Sequence, residues 1–420
     1  MKLSKKSKQL MLFLNKNKYI HPLHNTNKTN TILKELYHDI FNAYQFLLSI
    51  KQKKEKYFTL KTREITTASQ ITKPQNFNSK SFPDVIRKHI DEATMSEIVY
   101  TFSLFDRDIK IIFCAEEDHI ELKLDIYNKY VDQIVLWLYI LNQYASKMCA
   151  NSITLYFYFT SLEKKLPSSN IVVLDEINVN TAFTTTCPKD SEIVVFRKEE
   201  WFKVFIHETF HNFGLDFSDM NNDSLHSCIL GIFDVKSEVN LFESYTEFWA
   251  EIMNALFCSF FALKDKTDIH QFLSNSEFFI NYERTYSFFQ LVKTLQFMGL
   301  QYSDLYSKTE HSKLLRDHLY KEKTNVLSYY VIKTILLNNY NSFLLWCKTN
   351  NLSLLQFKKS ISNQHEYCKF IQNNYKTKNM LESINNAHLF LNKIIKKKDG
   401  LNRKNQYLLN NLRMSICELG

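Results

Sequence analysis

Glycine is nearly absent from this chain, with five residues in 420, and proline is equally scarce at five. That scarcity excludes particular chemistries. A dinucleotide fingerprint or a phosphate loop needs several glycines close together, so that backbone amides can approach phosphate oxygens. No such cluster occurs here, and no nucleotide is expected as a ligand. Eight cysteines, at 114, 149, 187, 228, 258, 347, 368 and 417, form no C-x-x-C pair, which predicts reduced thiols in a cytosolic setting. Long apolar runs are missing as well. Leu10–Leu14 follows a basic start but is too short for the core of a classical signal peptide. Val131–Leu141 contains Asp132 and Gln133 and ends at Asn142, so no membrane span is predicted. The expected location is cytoplasmic.

What is present is globular in composition, 45% hydrophobic and 23% charged, with a net charge of +9. The basic residues gather at Lys2–Lys18, Lys51–Lys56 and Lys393–Lys404, in a chain also rich in Asn, Ile, Phe and Tyr. AT-rich coding produces that bias, and such runs are usually solvated faces or tails. Nucleic acid is therefore not an expected partner.

One stretch specifies a reaction. His207-Glu208-Thr209-Phe210-His211 reads H-E-x-x-H. Residues four apart share a helix face, so both imidazoles can reach one metal ion. Glu208, one residue beyond the first histidine, can instead meet the water that the metal activates and take its proton. The flanks fit a strand followed by a helix. Ser191–Phe196 is a short β-branched run. Glu199 and Glu200 precede a helical pattern of Trp201, Phe202, Phe205, Ile206, Phe210 and Phe213. Gly214, three residues past His211, is placed to stop that helix.

A zinc site needs a third protein ligand. The metzincin pattern would place a histidine at position 217, where Phe217 stands, and that class is excluded. A second helical segment, Leu241–Asn254, carries Glu243, Glu247 and Glu251 at four-residue spacing, so all three lie along one face. Within it, Thr246-Glu247-Phe248-Trp249-Ala250-Glu251 resembles the N-E-x-x-[AS]-[DE] glutamate helix of gluzincins, the H-E-x-x-H…E zinc metallopeptidases. Thr246 departs from the family's asparagine, which leaves the register open. The resemblance makes Glu247 the third ligand and Glu251 the acid that orients a ligand histidine. The other register has Glu243 as ligand with Glu247 behind it.

The resemblance spans roughly residues 95 to 263 and implies an α+β fold. Runs at Ile98–Phe105, Ile109–Cys114 and Ile153–Phe159, with an apolar helix at Tyr130–Met148, match the zincin order before the metal helix. It implies a zincin-like catalytic domain over 84–263 and a mainly helical C-terminal domain over 264–420. A basic, partly helical region with a polar linker occupies 1–83. The helical domain is expected at Phe278–Met298, Asn325–Cys347, Leu354–Gln372 and Met380–Lys398. Asn180, Thr181, Ala182 and Phe183 correspond to the edge strand that pairs with an extended substrate. Tyr329 and Tyr330 are the candidates for stabilising the oxyanion. The implied activity is hydrolysis of a polypeptide by a chain carrying one zinc ion. The composition and motif context also look like those of proteins from large DNA viruses with AT-rich genomes, which would put the chain in host cytoplasm or virion. The reading from a different class is a zincin-like module kept for structure or partner binding. Glu208 separates the two, because a module without catalysis has no use for a base beside the first histidine.

Overall fold

Side chains that alternate between two apolar faces build the sheet. The computed structural model describes residues 2–53, 57–396 and 403–420; parts of the second and third basic runs lie outside these. Its strands are β1 (Thr59–Glu64), β2 (Ser96–Leu104), β3 (Arg107–Ala115), β4 (Ser152–Phe159), β5 (Ala182–Thr184) and β6 (Asp190–Val195). They form one mixed sheet in the order β1-β2-β3-β4-β6-β5. β3, β4 and β6 run parallel, while β1, β2 and the edge strand β5 pair antiparallel to their neighbours. The class is α+β.

Along β3 and β4, Ile109, Ile111, Phe113, Ile153, Leu155 and Phe157 enter the main core. Ile112, Cys114, Tyr156 and Tyr158 face the opposite side, as the period of two requires. Segment 66–83, which its polar composition marks as a linker, covers that opposite side. It buries Ile71, Phe77 and Phe82 there beside Ile86 and Ile90 of helix Asp84–Ala93. The N-terminal region is equally bound in: helix Asn27–Lys53 buries Leu33, Leu36 and Ile40 in the main core.

Helix Trp201–Asn212, hereafter the histidine helix, is buried along its whole length. It rests on β6 and on helix Leu124–Tyr144, whose Trp137 Nε1 donates to Thr209 Oγ1 at 2.7 Å. Asn212 ties its end to the sheet edge: Ser191 Oγ donates to Asn212 Oδ1 at 2.7 Å, and Asn212 Nδ2 donates to Thr184 Oγ1 at 3.0 Å. Gly214 ends the helix at φ +65°, a conformation that needs no Cβ, with Leu215 N donating to Phe210 O at 2.8 Å. Helix Leu241–Ala262, the glutamate helix, packs across it.

Beyond residue 263 the chain is helical, with helices at Ile269–Phe297, Ile361–Asn374 and Lys378–Lys396 among others. The run expected as one helix over 325–347 is divided. A π-helical turn, Leu327–Ile332, leads into Lys333–Asn338, and Tyr340–Asn350 follows after Asn339. Residues 411–419 then thread the interior as an extended strap. Met414 N and Ser415 N donate to Glu200 Oε1 at 3.0 and 2.5 Å. Ile416 N and Cys417 N donate to the two oxygens of Glu283, each at 2.9 Å. Side chains satisfy this strap's buried amides where a neighbouring strand would otherwise do so.

The expectation of reduced thiols fails for four of the eight cysteines. Disulfides join Cys149 to Cys187 and Cys228 to Cys368, while Cys114, Cys258, Cys347 and Cys417 are free and buried. Neither pair has a local spacing that could be read from sequence, since the partners are 38 and 140 residues apart. Among the described residues, no helix is long and apolar enough to cross a membrane.

Candidate metal centre

The histidine helix and the glutamate helix meet at three side chains. His207 Nε2 and His211 Nε2 stand 3.2 Å apart, and Glu243 Oε2 lies 3.1 Å from the first and 3.5 Å from the second. Three ligands about 2.0–2.2 Å from a tetrahedral zinc would be separated by roughly 3.3–3.5 Å. The donor set of two imidazoles and one carboxylate therefore fits a single zinc ion in both chemistry and spacing.

The remaining ring nitrogens are held from behind. His207 Nδ1 is 2.9 Å from Glu247 Oε2, and His211 Nδ1 contacts Asp216 Oδ2. Each contact fixes its ring with Nε2 facing the triad, the role that a carboxylate behind a ligand histidine generally fills. Both contacts are buried, with Glu247 and Asp216 at most 1% exposed.

Glu247, expected as the third ligand, is thus not one of the converging groups. Lys203, one helical turn before His207, donates from Nζ to Glu247 Oε1 at 2.5 Å and draws the carboxylate behind the ring. Glu243, one turn earlier on the glutamate helix, faces the histidines instead. Glu251, expected to orient a histidine, pairs with Lys333 Nζ at 2.7 Å and touches neither imidazole. Two expected roles therefore fall one turn earlier on the glutamate helix, the arrangement of the other register, with Glu243 among the converging atoms and Glu247 behind His207. Asp216 and Lys203 carry roles that the sequence reading did not assign. Lys203 could have been noticed as a charge among Trp201, Phe202 and Val204, and Asp216 as the acid just past the helix-stopping glycine.

Electrostatics follow from burial and these contacts. Burial alone would raise the Glu243 carboxyl; the charge of His211 and hydrogen bonds from both imidazoles reverse this and hold it far below the ordinary range. Burial of Glu247 is likewise outweighed, first by Lys203 and then by His207. The two histidines are raised despite burial. Glu243 and Glu247 act on His207, and Asp216 and Glu243 act on His211. Glu208 moves the other way. Burial raises its carboxyl, and the neighbouring imidazoles only partly offset that.

A cleft of about 690 Å³ opens over the triad. His207, Glu208, His211 and Glu243 form its floor, and Tyr329 borders it from the helical half. Asn180, just before β5, and Ala182 and Phe183 of β5 also line it, with Phe183 packed on Phe82 at 5.4 Å between ring centroids. Thr181 borders a smaller recess beside the cleft.

The two tyrosines separate. Tyr329 donates from its hydroxyl to Glu243 Oε2 at 2.8 Å, at the edge of the triad. Tyr330, also expected there, donates to Leu412 O at 2.7 Å in the strap and does not reach the cleft. Adjacent residues on a helical turn point in different directions, and of this pair only Tyr329 faces the triad. The π-helical turn carrying them is a local departure of the kind often found at functional sites.

No family model, curated protein or solved structure matches this chain.

Proposed function

We propose that the chain is a zinc-dependent peptidase, with one zinc ion per chain held by His207, His211 and Glu243. The observation that carries this reading is the convergence of those three ligand atoms at zinc-like spacing, with Glu208 beside them on the cleft floor. The reading includes the finer architecture that the gluzincin resemblance implies, a zincin-like catalytic domain against a helical one, and a polypeptide substrate.

When bound, zinc supplies Lewis-acid polarisation of the scissile carbonyl and lowers the pKa of water. The chain's own residues do the rest. Glu208, a raised carboxyl in a closed site, takes a proton from the attacking water and returns it to the leaving amine. Glu247 and Asp216 keep the imidazole rings in register. The Tyr329 hydroxyl borders the cleft and, turning its one proton from Glu243 toward the substrate, donates to the oxyanion as it forms. Strand β5 is the sheet's edge, and its outer backbone groups are available to an extended peptide.

The test is hydrolysis of an unstructured peptide mixture by purified protein. Activity is expected to vanish with a zinc chelator, return with added zinc and resist serine- and cysteine-directed reagents. Hydrolysis that persists in the chelator overturns the reading, as does a protein without stoichiometric zinc.

A further inference from the structure

Residues 185–187, which follow β5, are bonded to the end of the histidine helix and to the acid behind His211. Cys187 N donates to His211 O at 3.3 Å, and Asn212 Nδ2 donates to Thr185 O at 3.4 Å. Thr186 Oγ1 donates to Ser218 Oγ at 3.0 Å. Ser218 Oγ donates in turn to Asp216 Oδ1 at 2.8 Å, on the carboxylate that holds His211 Nδ1. The position of this segment therefore reaches a ligand histidine by two short routes.

One covalent bond fixes the segment. Cys187 is joined to Cys149 and held at φ +46°, a left-handed conformation that disfavours a residue with a Cβ. A Cβ at Gly214 would stand 3.6 Å from Cys149 Sγ and 3.6 Å from Cys187 Cβ, so the disulfide packs against the turn that ends the histidine helix. The chain just past Cys187 is held independently: Ala150 N donates to Pro188 O and Asn151 N to Lys189 O, each at 2.7 Å. Opening the disulfide thus frees 185–187 and leaves the entry to β6 in place. Cys149 is buried, but Cys187 is only half-buried and follows the exposed Thr186, so a reductant meets Cys187 first. The other disulfide, Cys228–Cys368, joins helix Asp223–Ile232 to helix Ile361–Asn374. Among the described residues, no hydrogen bond links either of its cysteines to the triad or to Asp216.

We propose that Cys149–Cys187 is a site of reversible thiol–disulfide exchange that sets the affinity of the centre for zinc. Oxidised, it keeps residues 185–187 against His211 and the Asp216 turn; reduced, it releases them, and zinc binds more weakly. A dithiol supplies the two electrons. Its first thiolate attacks Cys187 Sγ, and Cys149 departs as a thiolate. Its second thiolate then displaces Cys187 Sγ, so the dithiol ends as a disulfide and its two protons end on the two cysteines. The effect on zinc rests on the zinc reading given above; the exchange itself does not.

The test uses full-length protein, oxidised or treated with dithiothreitol that is removed without air before zinc is titrated against a competing chelator. Alkylation and peptide mass mapping are expected to find Cys149 and Cys187 opened by the treatment. Zinc affinity is expected to fall about tenfold, the lower end of what losing the support behind a ligand histidine does. Hydrogen exchange is expected to quicken at 185–187 and 211–216 in the reduced protein. A Cys149→Ser, Cys187→Ser double variant is expected to show the lowered affinity without reductant and no response to it. A Cys228→Ser, Cys368→Ser double variant, in which one disulfide is left to open, is expected to keep the full affinity and the response. A Cys149–Cys187 bond that stays closed in dithiothreitol overturns the proposal. Zinc bound equally tightly in both redox states overturns it too and leaves the zinc reading standing. Oxidised protein that binds no zinc overturns the zinc reading, and this proposal with it.

Discussion

Glu247 Oε2 lies 2.9 Å from His207 Nδ1, at the ring nitrogen that does not face Glu243. The carboxylate therefore acts on the metal site through the imidazole. Glu243→Gln is expected to abolish stoichiometric zinc binding. Glu247→Gln is expected to keep zinc with an affinity lowered about 10–100-fold, the usual effect of losing a carboxylate behind a ligand histidine. Zinc titration against a competing chelator measures both. Equal losses in the two variants would contradict the assignment.

Asp216 makes the corresponding contact to His211 Nδ1 and also accepts from Ser218 Oγ at 2.8 Å. Asp216→Asn is expected to weaken zinc by a similar factor, about 10–100-fold, while leaving the fold intact. A circular dichroism spectrum and the same titration check this. Unchanged affinity would show that the contact orients nothing.

Glu208→Gln is expected to retain zinc and lose hydrolysis by at least about 10²-fold, because an amide cannot accept the water's proton. Zinc content and kcat on one peptide, measured together, decide it. Loss of zinc in this variant would mean that Glu208 is a ligand and not a base.

Tyr329→Phe and Tyr330→Phe are expected to part company. The first removes the cleft hydroxyl and is expected to lower kcat about 10²-fold. The second leaves the Leu412 carbonyl without its donor and is expected to cost about 1–3 kcal/mol of stability with kcat unchanged. Denaturant midpoints and steady-state rates separate these outcomes.

Glu322, at the cleft edge, supplies a pH dependence of stability. Burial raises its carboxyl to about 7, and hydrogen bonds from Ser237 and Leu327 N only partly counter that. Between the ordinary value of 4.5 and about 7, the folded chain keeps a proton that the unfolded chain has released. Stability from this group is therefore full below that window and falls as pH rises through it. Glu322→Gln fixes a neutral side chain, so its melting temperature relative to the unaltered protein is expected to be higher at about pH 8 than at about pH 5. The opposite ordering would refute the assignment.

The strands and the histidine pair could be read in advance because each is written in local periodicity. Ile109–Cys114 and Ile153–Phe159 alternate faces, and the two histidines sit one turn apart on an aromatic helix. The choice among Glu243, Glu247 and Glu251 could not, because spacing of four puts all three on one face. Partners distant in sequence make that choice: Lys203 takes Glu247, Lys333 takes Glu251 and Tyr329 faces Glu243. The disulfides escaped for the same reason. Segment 66–83 misled differently, since Ile71, Phe77 and Phe82 are scattered among polar residues and yet join the cluster on the sheet's second face.

The strap at 411–419 sets the order in which the molecule can be assembled. Ser415 N and Glu200 are 215 residues apart in the chain, and Glu200 stands immediately before the histidine helix. Contacts of such sequence separation close slowly, because chain entropy must be lost before any interaction is gained. During synthesis His207 and His211 emerge long before residue 414. The base of their helix stays unfinished until residues 411–419 are in place. On the proposed zinc reading, both histidines are in place before this segment docks, and the metal centre is complete only once residues 411–419 hold the start of their helix.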